Sequence, residues 1–151
     1  MNLQSPAFAE GKPVPDKHAR DHADDSPELS WSGAPEGTKS FTLVCDDPDA
    51  PVGTWVHWVL YELPATARQL PEGVPAEPLL KDGSRQGTND FKRTGYGGPC
   101  PPPGKPHRYF FRLYALDTSL RLAPGKTKAE LLKAMEGHVK GQAELVGRYG
   151  R

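Results

Sequence analysis

The sequence predicts a mainly β fold, in which two antiparallel sheets with Greek-key, sandwich-like connections accompany one short helix near the C-terminus. Residues 40–45, 55–63 and 107–116 are rich in aromatic and β-branched side chains, which is typical of strands. The chain contains 17 prolines and 16 glycines, a composition that favours turns over long helices. We expect the whole chain, residues 1–151, to form a single domain.

The charge balance excludes several classes of partner. Nineteen basic and 19 acidic side chains give a formal net charge of +0, which argues against nucleic acid and against broad attraction to anionic membranes. No apolar run approaches 18 residues, so membrane insertion is not expected. The N-terminus lacks a signal-peptide pattern, and we expect a cytoplasmic protein, with a periplasmic one as the alternative. Two cysteines, Cys45 and Cys100, do not form a disulfide framework.

The first third of the chain shows little periodicity. Residues 1–37 are expected to form short extended pieces, including a short strand at 29–31. Residues 17–25 carry mixed charge and are interpreted as a solvated loop. His18 and His22 stand four apart, a spacing that would suit a metal on a helix, but no apolar residue would hold such a helix in place.

The strand at 40–45 is followed by a stiff, proline-containing loop at 46–53 and then by the strand at 55–63. Both faces of this second strand are apolar, which predicts a central position with cover on both sides. Residues 86–91 are interpreted as a long surface loop. Strict alternation would place five side chains of the second strand on one face: Trp55, His57, Val59, Tyr61 and Leu63.

The strand at 107–116 follows a run of Gly, Pro and Cys at 97–104. Thr127 and Glu130 then have the spacing of a capping box, which predicts a short helix before Gly137. Alternation from residue 138 onward favours a final strand. One face of the strand at 107–116 should carry His107, Tyr109, Phe111, Leu113 and Ala115.

The second and third strong strands share one plan. Each follows a loop rich in Pro or Gly, and each begins with a histidine on the side of an aromatic residue. If the two strands are neighbours, His57 and His107 would converge with Asp47 or Asp49 at one edge of the sheet.

Four chemistries could use this set of residues. Histidine and Tyr109 could donate to an anion, with an aspartate orienting a histidine and Gly98 letting the backbone approach closely. Two histidines and a carboxylate could also hold a metal, although they lack a local ligand spacing. Cys100 could act as a nucleophile beside a histidine, or Asp and His could activate water. The chain has no nucleotide-binding or hydrolase fingerprint, so no cofactor is expected.

Together the motifs resemble the phosphatidylethanolamine-binding protein family, which includes Raf kinase inhibitor protein, and in particular its bacterial and archaeal branch. The likeness rests on residues 47–51 (Asp-Pro-Asp-Ala-Pro), 55–58 (Trp-Val-His-Trp), 98–102 (Gly-Pro-Cys-Pro-Pro) and 107–109 (His-Arg-Tyr). It implies a pocket for a phosphate-like anion or a phospholipid headgroup at one end of the sheet. The residues that it implies for this pocket are Asp47, Trp55, His57, Gly98, Pro99, His107 and Tyr109.

The resemblance also implies protein partners, and this sequence departs from the family pattern at two places. Some eukaryotic members inhibit kinases or serine proteases, so a kinase or a protease is the implied protein partner. Many eukaryotic members carry a second histidine where this chain has Val56, and they continue into a C-terminal helix beside the pocket, whereas this sequence ends at Arg151. An open pocket, or one closed by a second subunit in a homodimer, would follow. We therefore expect an anion-binding protein that is not an enzyme, with a metal-dependent or acid/base hydrolase as the alternative.

Overall fold

The computed structural model describes all residues from Met1 to Arg151 and contains eight strands, one α-helix and one 3-10 turn. The mainly β prediction with two antiparallel sheets and one short helix near the C-terminus is confirmed. No helix of the chain is both long enough and apolar enough to cross a bilayer. The elements are β1 (Asn2–Gln4), the 3-10 turn (Asp16–His18), β2 (Leu29–Ser32), β3 (Ser40–Asp47), β4 (Trp55–Pro64), β5 (Gln69–Leu70), β6 (Arg85–Gln86), β7 (His107–Leu116), α1 (Lys128–Met135) and β8 (Val139–Tyr149).

The larger sheet has five antiparallel strands in the order β6-β4-β3-β7-β8, and the smaller sheet has the order β1-β2-β5. The two strands that carry His57 and His107 near their first residues, β4 and β7, are not neighbours, because β3 lies between them. Since β3 runs antiparallel to both, its last residues meet the first residues of β4 and β7 at one edge of the sheet. The topology therefore brings three strand ends together.

Apolar side chains cover both faces of the larger sheet. On one face a cluster of 18 buried residues joins it to the smaller sheet through side chains such as Trp31, Phe41 and Trp58. On the other face a cluster of 7 buried residues includes Leu131 and Met135 of α1. The predicted cover on both sides of β4 is confirmed, as is the predicted capping box, in which Thr127 and Glu130 bond to each other's backbone amides.

The predicted single face of β4 is wrong, because the register of the β3–β4 pair shifts at two places. Val56 pairs with Asp46 and Trp58 pairs with Cys45, so His57 is the extra residue of a bulge. Trp58 and Leu60 belong to the larger cluster, whereas Val56, Val59 and Tyr61 belong to the cluster under the helix. The predicted face of β7 is correct, since Tyr109, Phe111, Leu113 and Ala115 all lie in the larger cluster.

Two segments interpreted as solvated or superficial are partly buried. His18 is 0% exposed and its Nδ1 lies 2.7 Å from the carbonyl oxygen of Asp25, whereas His22 is exposed, so the two rings do not form a ligand pair. Gln86 is also 0% exposed and lies in β6, not in a surface loop. In both places a buried polar side chain binds backbone groups that would otherwise lack partners, and hydrophobic periodicity carries no signal for this role.

Candidate functional site

The site forms where β3 ends and β7 begins. Nδ1 of His107 lies 2.7 Å from Oδ2 of Asp47, and the two side chains are 12% and 4% exposed. Because a carboxylate accepts, Nδ1 of His107 carries the hydrogen in this bond. The opposite nitrogen, Nε2, has no partner in the protein and remains available to a ligand.

Asp49 shapes the loop that follows β3 but does not reach a histidine. Its backbone amide donates to Oδ1 of Asp47 at 2.7 Å. Its carboxylate accepts two bonds of 2.9 Å from the Arg108 guanidinium and one of 3.0 Å from the Arg108 amide. These bonds lower the pKa of Asp49 to about 2. Of the two candidate aspartates, Asp47 therefore orients His107, and Asp49 ties the loop to the start of β7.

His57 reaches the same edge of the sheet from the bulge in β4. Its Nδ1 lies 2.6 Å from the carbonyl oxygen of Gly97, which can only accept, so Nδ1 carries the hydrogen. Burial lowers the pKa of His57, while the Gly97 carbonyl opposes that shift. The ring packs edge-on against Tyr109, with centroids 5.2 Å apart, and against Phe91 at 5.4 Å. A neutral His57 presents Nε2 as an acceptor, and only a protonated ring can donate to an anion.

Two buried polar atoms of residues that line the site form no hydrogen bond of ordinary geometry within the protein. They are the hydroxyl of Tyr109 and the indole Nε1 of Trp55, and both atoms are buried. Burial raises the pKa of Tyr109, and the neighbouring Asp47 carboxylate raises it further, so the hydroxyl keeps its proton. A buried donor without a partner costs about 1–3 kcal/mol, which a ligand that accepts hydrogen bonds would recover.

Gly98 and Pro99 have roles other than the expected ones. The Gly98 amide donates to Oδ1 of Asp24 at 2.7 Å, and the Pro99 carbonyl accepts from the Arg20 amide at 3.0 Å. The expected close approach of the Gly98 backbone to a ligand is therefore corrected, since its amide is already bonded to a carboxylate. Pro99 is buried behind the site, beside Val14. Both residues position the Gly97 carbonyl that holds His57.

We call the cavity lined by Asp47, His57, His107 and Tyr109, among others, the strand-end pocket. Its volume of about 250 Å³ is slightly below the range of roughly 300–1,000 Å³ that is usual for ligand sites, which suits a small ligand. Sequence reasoning missed Phe91 as a wall, although an aromatic residue within a predicted surface loop is a signal that could have indicated it. The lining residues are Asp47, Ala50, Pro51, Val52, Trp55, His57, Phe91, Cys100, Pro101, Pro102, His107 and Tyr109.

The geometry bears on the other chemistries considered. No three His, Cys, Asp or Glu side chains are grouped so that they could hold a metal ion. The thiol of Cys100 is exposed and accepts its one side-chain hydrogen bond from the Arg151 guanidinium at 3.2 Å, so no histidine is bonded to it as a base. The arrangement instead offers hydrogen bonds from several sides around a small space.

Nearly the whole chain matches a known protein family. The family model described as phosphatidylethanolamine-binding protein matches residues 4–150. A UPF0098 protein of Methanothermobacter thermautotrophicus is 52% identical over 151 residues, covering 100% of this chain and 99% of the relative. A UPF0098 protein of Aquifex aeolicus is 46% identical over 153 residues, covering 100% of this chain and 89% of the relative. The relatives thus include an archaeal and a bacterial protein.

Solved structures with the same architecture are also known. The crystal structure of CT736 from Chlamydia trachomatis, described as a homologue of phosphatidylethanolamine-binding proteins, has a TM-score of 0.90 at 40% identity. The match covers 99% of this chain and 97% of that one. E. coli YbcL, described as a new member of the mammalian family, has a TM-score of 0.91 at 34% identity, with 99% and 98% covered.

Proposed function

The chain belongs to the phosphatidylethanolamine-binding protein family, and we propose that it binds a small phosphate-like anion, free or as a phospholipid headgroup, in the strand-end pocket. The observation that carries the proposal is that two residues lining this pocket each hold a buried donor without a hydrogen bond, Trp55 at Nε1 and Tyr109 at its hydroxyl. An oxyanion has several acceptor oxygens and could accept from both. The free Nε2 atoms of His57 and His107 then complete the set of polar groups around the ligand.

Protonation should accompany binding. Burial lowers the pKa of His57, so its ring is neutral in the empty pocket at neutral pH. A monoanionic phosphate ester can bring its own hydroxyl and donate it to Nε2, whereas sulfate carries no proton and requires a protonated ring. Both routes add a proton to the complex, and the affinity should therefore rise as the pH falls.

Calorimetric titration of phosphate, phosphoethanolamine and sulfate from about pH 5.5 to about 8.5 tests the proposal. We expect affinity to fall toward high pH and His107→Ala to weaken phosphate binding by about tenfold. His138→Ala is the matched control, because His138 also bonds an aspartate at 2.8 Å but lies outside the pocket. A flat pH profile, or unchanged affinity in His107→Ala, would contradict the proposal.

An acid/base hydrolase is the second candidate, because the bond between His107 and Asp47 is also the arrangement of an oriented general base. Metal analysis of the purified protein, together with a screen for phosphoester and peptide hydrolysis, separates the two functions. The binding function predicts no turnover in any variant. Turnover that is lost in Asp47→Asn, or stoichiometric zinc or iron, would establish the hydrolase instead.

A further inference from the structure

A second cavity, here called the basic groove, adjoins the strand-end pocket. Its volume is about 520 Å³, and it shares His107 and Pro102 with the pocket. The other lining includes Lys105, Arg108 and Arg148, and it contains no apolar side chain other than prolines. His107 therefore lies between two cavities. The strand-end pocket is small and has few charged side chains, and the basic groove is larger and positively charged.

The charges in the groove are not balanced. Asp49, the acidic residue of the lining, forms both guanidinium bonds with Arg108 and is thereby neutralised. Lys105 and Arg148 take part in no salt bridge and no side-chain hydrogen bond. Two positive charges therefore remain without partners beside His107.

The strand register places two arginines of the groove opposite each other. Arg108 and Arg148 are paired directly across β7 and β8. Like charges at such positions destabilise a sheet, and Asp49 compensates only the first of them. Arg148 thus remains uncompensated at a position where a neutral or acidic residue would stabilise the strand pair.

We propose that the basic groove binds a second anionic group of the same ligand, so that the ligand is a small molecule with two anionic groups. One phosphate occupies the strand-end pocket, and a second phosphate or a carboxylate lies between Lys105 and Arg148. This inference rests on the proposed function and adds the ligand class. It also implies weaker binding of a ligand whose only second charged group is an ammonium, because that group would meet two cations in the groove.

Matched ligands that differ in one group test the inference. O-phosphoserine carries a carboxylate that phosphoethanolamine lacks, and propane-1,3-bisphosphate carries a phosphate that propyl phosphate lacks. In the unmodified protein we expect the member of each pair that has two anionic groups to bind about tenfold more tightly, the effect of one added charge-assisted bond. A series of longer α,ω-bisphosphates would then give the span between the two subsites.

Substitutions in the basic groove test whether its cations cause the tighter binding of ligands with a second anionic group. In Lys105→Ala/Arg148→Ala we expect the affinity advantage of each ligand with two anionic groups to fall to about twofold or less, while affinity for phosphate itself changes little. Lys140→Ala is the control, since Lys140 is an exposed cation of β8 that does not line the groove. All three side chains are exposed, so the variants should fold, and circular dichroism verifies this.

The outcomes separate this inference from the function on which it rests. If phosphate binds but neither pair shows an advantage, or if the advantage persists in the double variant, the second subsite is refuted and the anion pocket stands. If none of these ligands binds, both are refuted. An advantage that the double variant loses and Lys140→Ala retains supports the inference.

Discussion

At the scale of single residues, the Tyr109 hydroxyl departs from the rule that buried polar atoms are bonded. It lies on the pocket wall, buried and without a partner, in a ring that otherwise packs in the apolar core. Phenylalanine would fill the same space without burying an unpaired donor. The hydroxyl therefore marks a site where ligand binding and folding stability should respond to mutation in opposite directions.

Tyr109→Phe should leave the ligand-free protein equally stable or stabilise it by up to about 1 kcal/mol, because the mutation removes an unpaired buried donor. The same mutation should weaken phosphate binding about fivefold, since one hydrogen bond is lost. Urea denaturation and calorimetry measure the two effects.

Tyr61→Phe is the matched control. The Tyr61 hydroxyl donates to the Ala123 carbonyl at 2.5 Å and accepts from the Lys126 amide at 3.1 Å, away from the pocket. Its loss should cost about 1 kcal/mol of stability and leave binding unchanged. Equal destabilisation by the two mutations would contradict the interpretation of Tyr109.

Burial of the His57 ring makes folding stability depend on pH. Because burial lowers its folded-state pKa, the unfolded chain takes up the proton first, and stability is lost as the pH falls below about 6.5. A bound anion should reverse the shift by stabilising the protonated ring.

Ring-nitrogen NMR of the free protein should place the His57 midpoint below about 6.5, and saturating sulfate should raise it. The exposed His138 ring is an internal reference whose signals sulfate should not affect at constant pH. An unchanged His57 midpoint in the presence of bound sulfate would exclude this ring as a donor to the anion.

At the scale of elements, the site depends on a bulge and on a clamped loop. The bulge in β4 places His57 on the side of Tyr109 instead of under the helix. The loop before β7 supplies the Gly97 carbonyl for that ring, and Asp24 and the Arg20 amide clamp this loop from the N-terminal segment. The N-terminal segment, which binds no ligand in the proposal, thus controls the orientation of His57.

Gly98→Ala should disrupt this clamp, because an added Cβ would collide with the His18 carbonyl oxygen and lie 2.8 Å from Oδ1 of Asp24. We expect a loss of at least about 2 kcal/mol of stability, together with weaker anion binding. Chemical denaturation and calorimetry measure the two effects.

Asp24 tests the same clamp from its other side. Asp24→Ala removes the acceptor of the Gly98 amide, whereas Asp24→Asn keeps one acceptor oxygen and tolerates the φ of 59° at this residue. The asparagine variant should therefore be the more stable of the two. Equal stability would show that the bond to Gly98 does not hold the loop.

At the scale of the whole molecule, the two sheets and their long connections are joined by a few buried polar side chains as well as by the apolar clusters. Gln86 is the principal example, since it is fully buried and accepts from Trp58 Nε1 at 2.8 Å. Its amide group donates to the carbonyl oxygens of Pro75 and Glu77 at 2.7 and 2.9 Å. One side chain thereby fixes the long 71–84 connection to the larger sheet.

Gln86→Met should cost about 3 kcal/mol or more, because it leaves an indole N–H and two carbonyl groups without their partners at similar side-chain volume. Gln142→Met, on the exposed side of β8, should cost less than about 0.5 kcal/mol. Urea denaturation compares the two, and a loss below about 1 kcal/mol for Gln86→Met would show that solvent replaces these bonds.

Much of the fold follows from local patterns. The strands at 40–45, 55–63 and 107–116, the capping box at Thr127 and the final strand all lie where the sequence predicts them. The face of β4 was predicted wrongly, because a bulge changes the alternation without a residue type that marks it. His18 and Gln86 were misplaced because their burial depends on distant backbone groups.

By itself the sequence determined the mainly β architecture, and it singled out His57, His107 and either Asp47 or Asp49 as residues that would converge if their strands were neighbours. These follow from periodicity, turn residues and motifs, which are properties of neighbouring residues. Only the tertiary structure decided that β3 separates β4 and β7, that Asp47 and not Asp49 holds His107, and that Gly98 bonds to Asp24. Those choices depend on strand order and on contacts between residues far apart in the chain, and local patterns do not encode such distances.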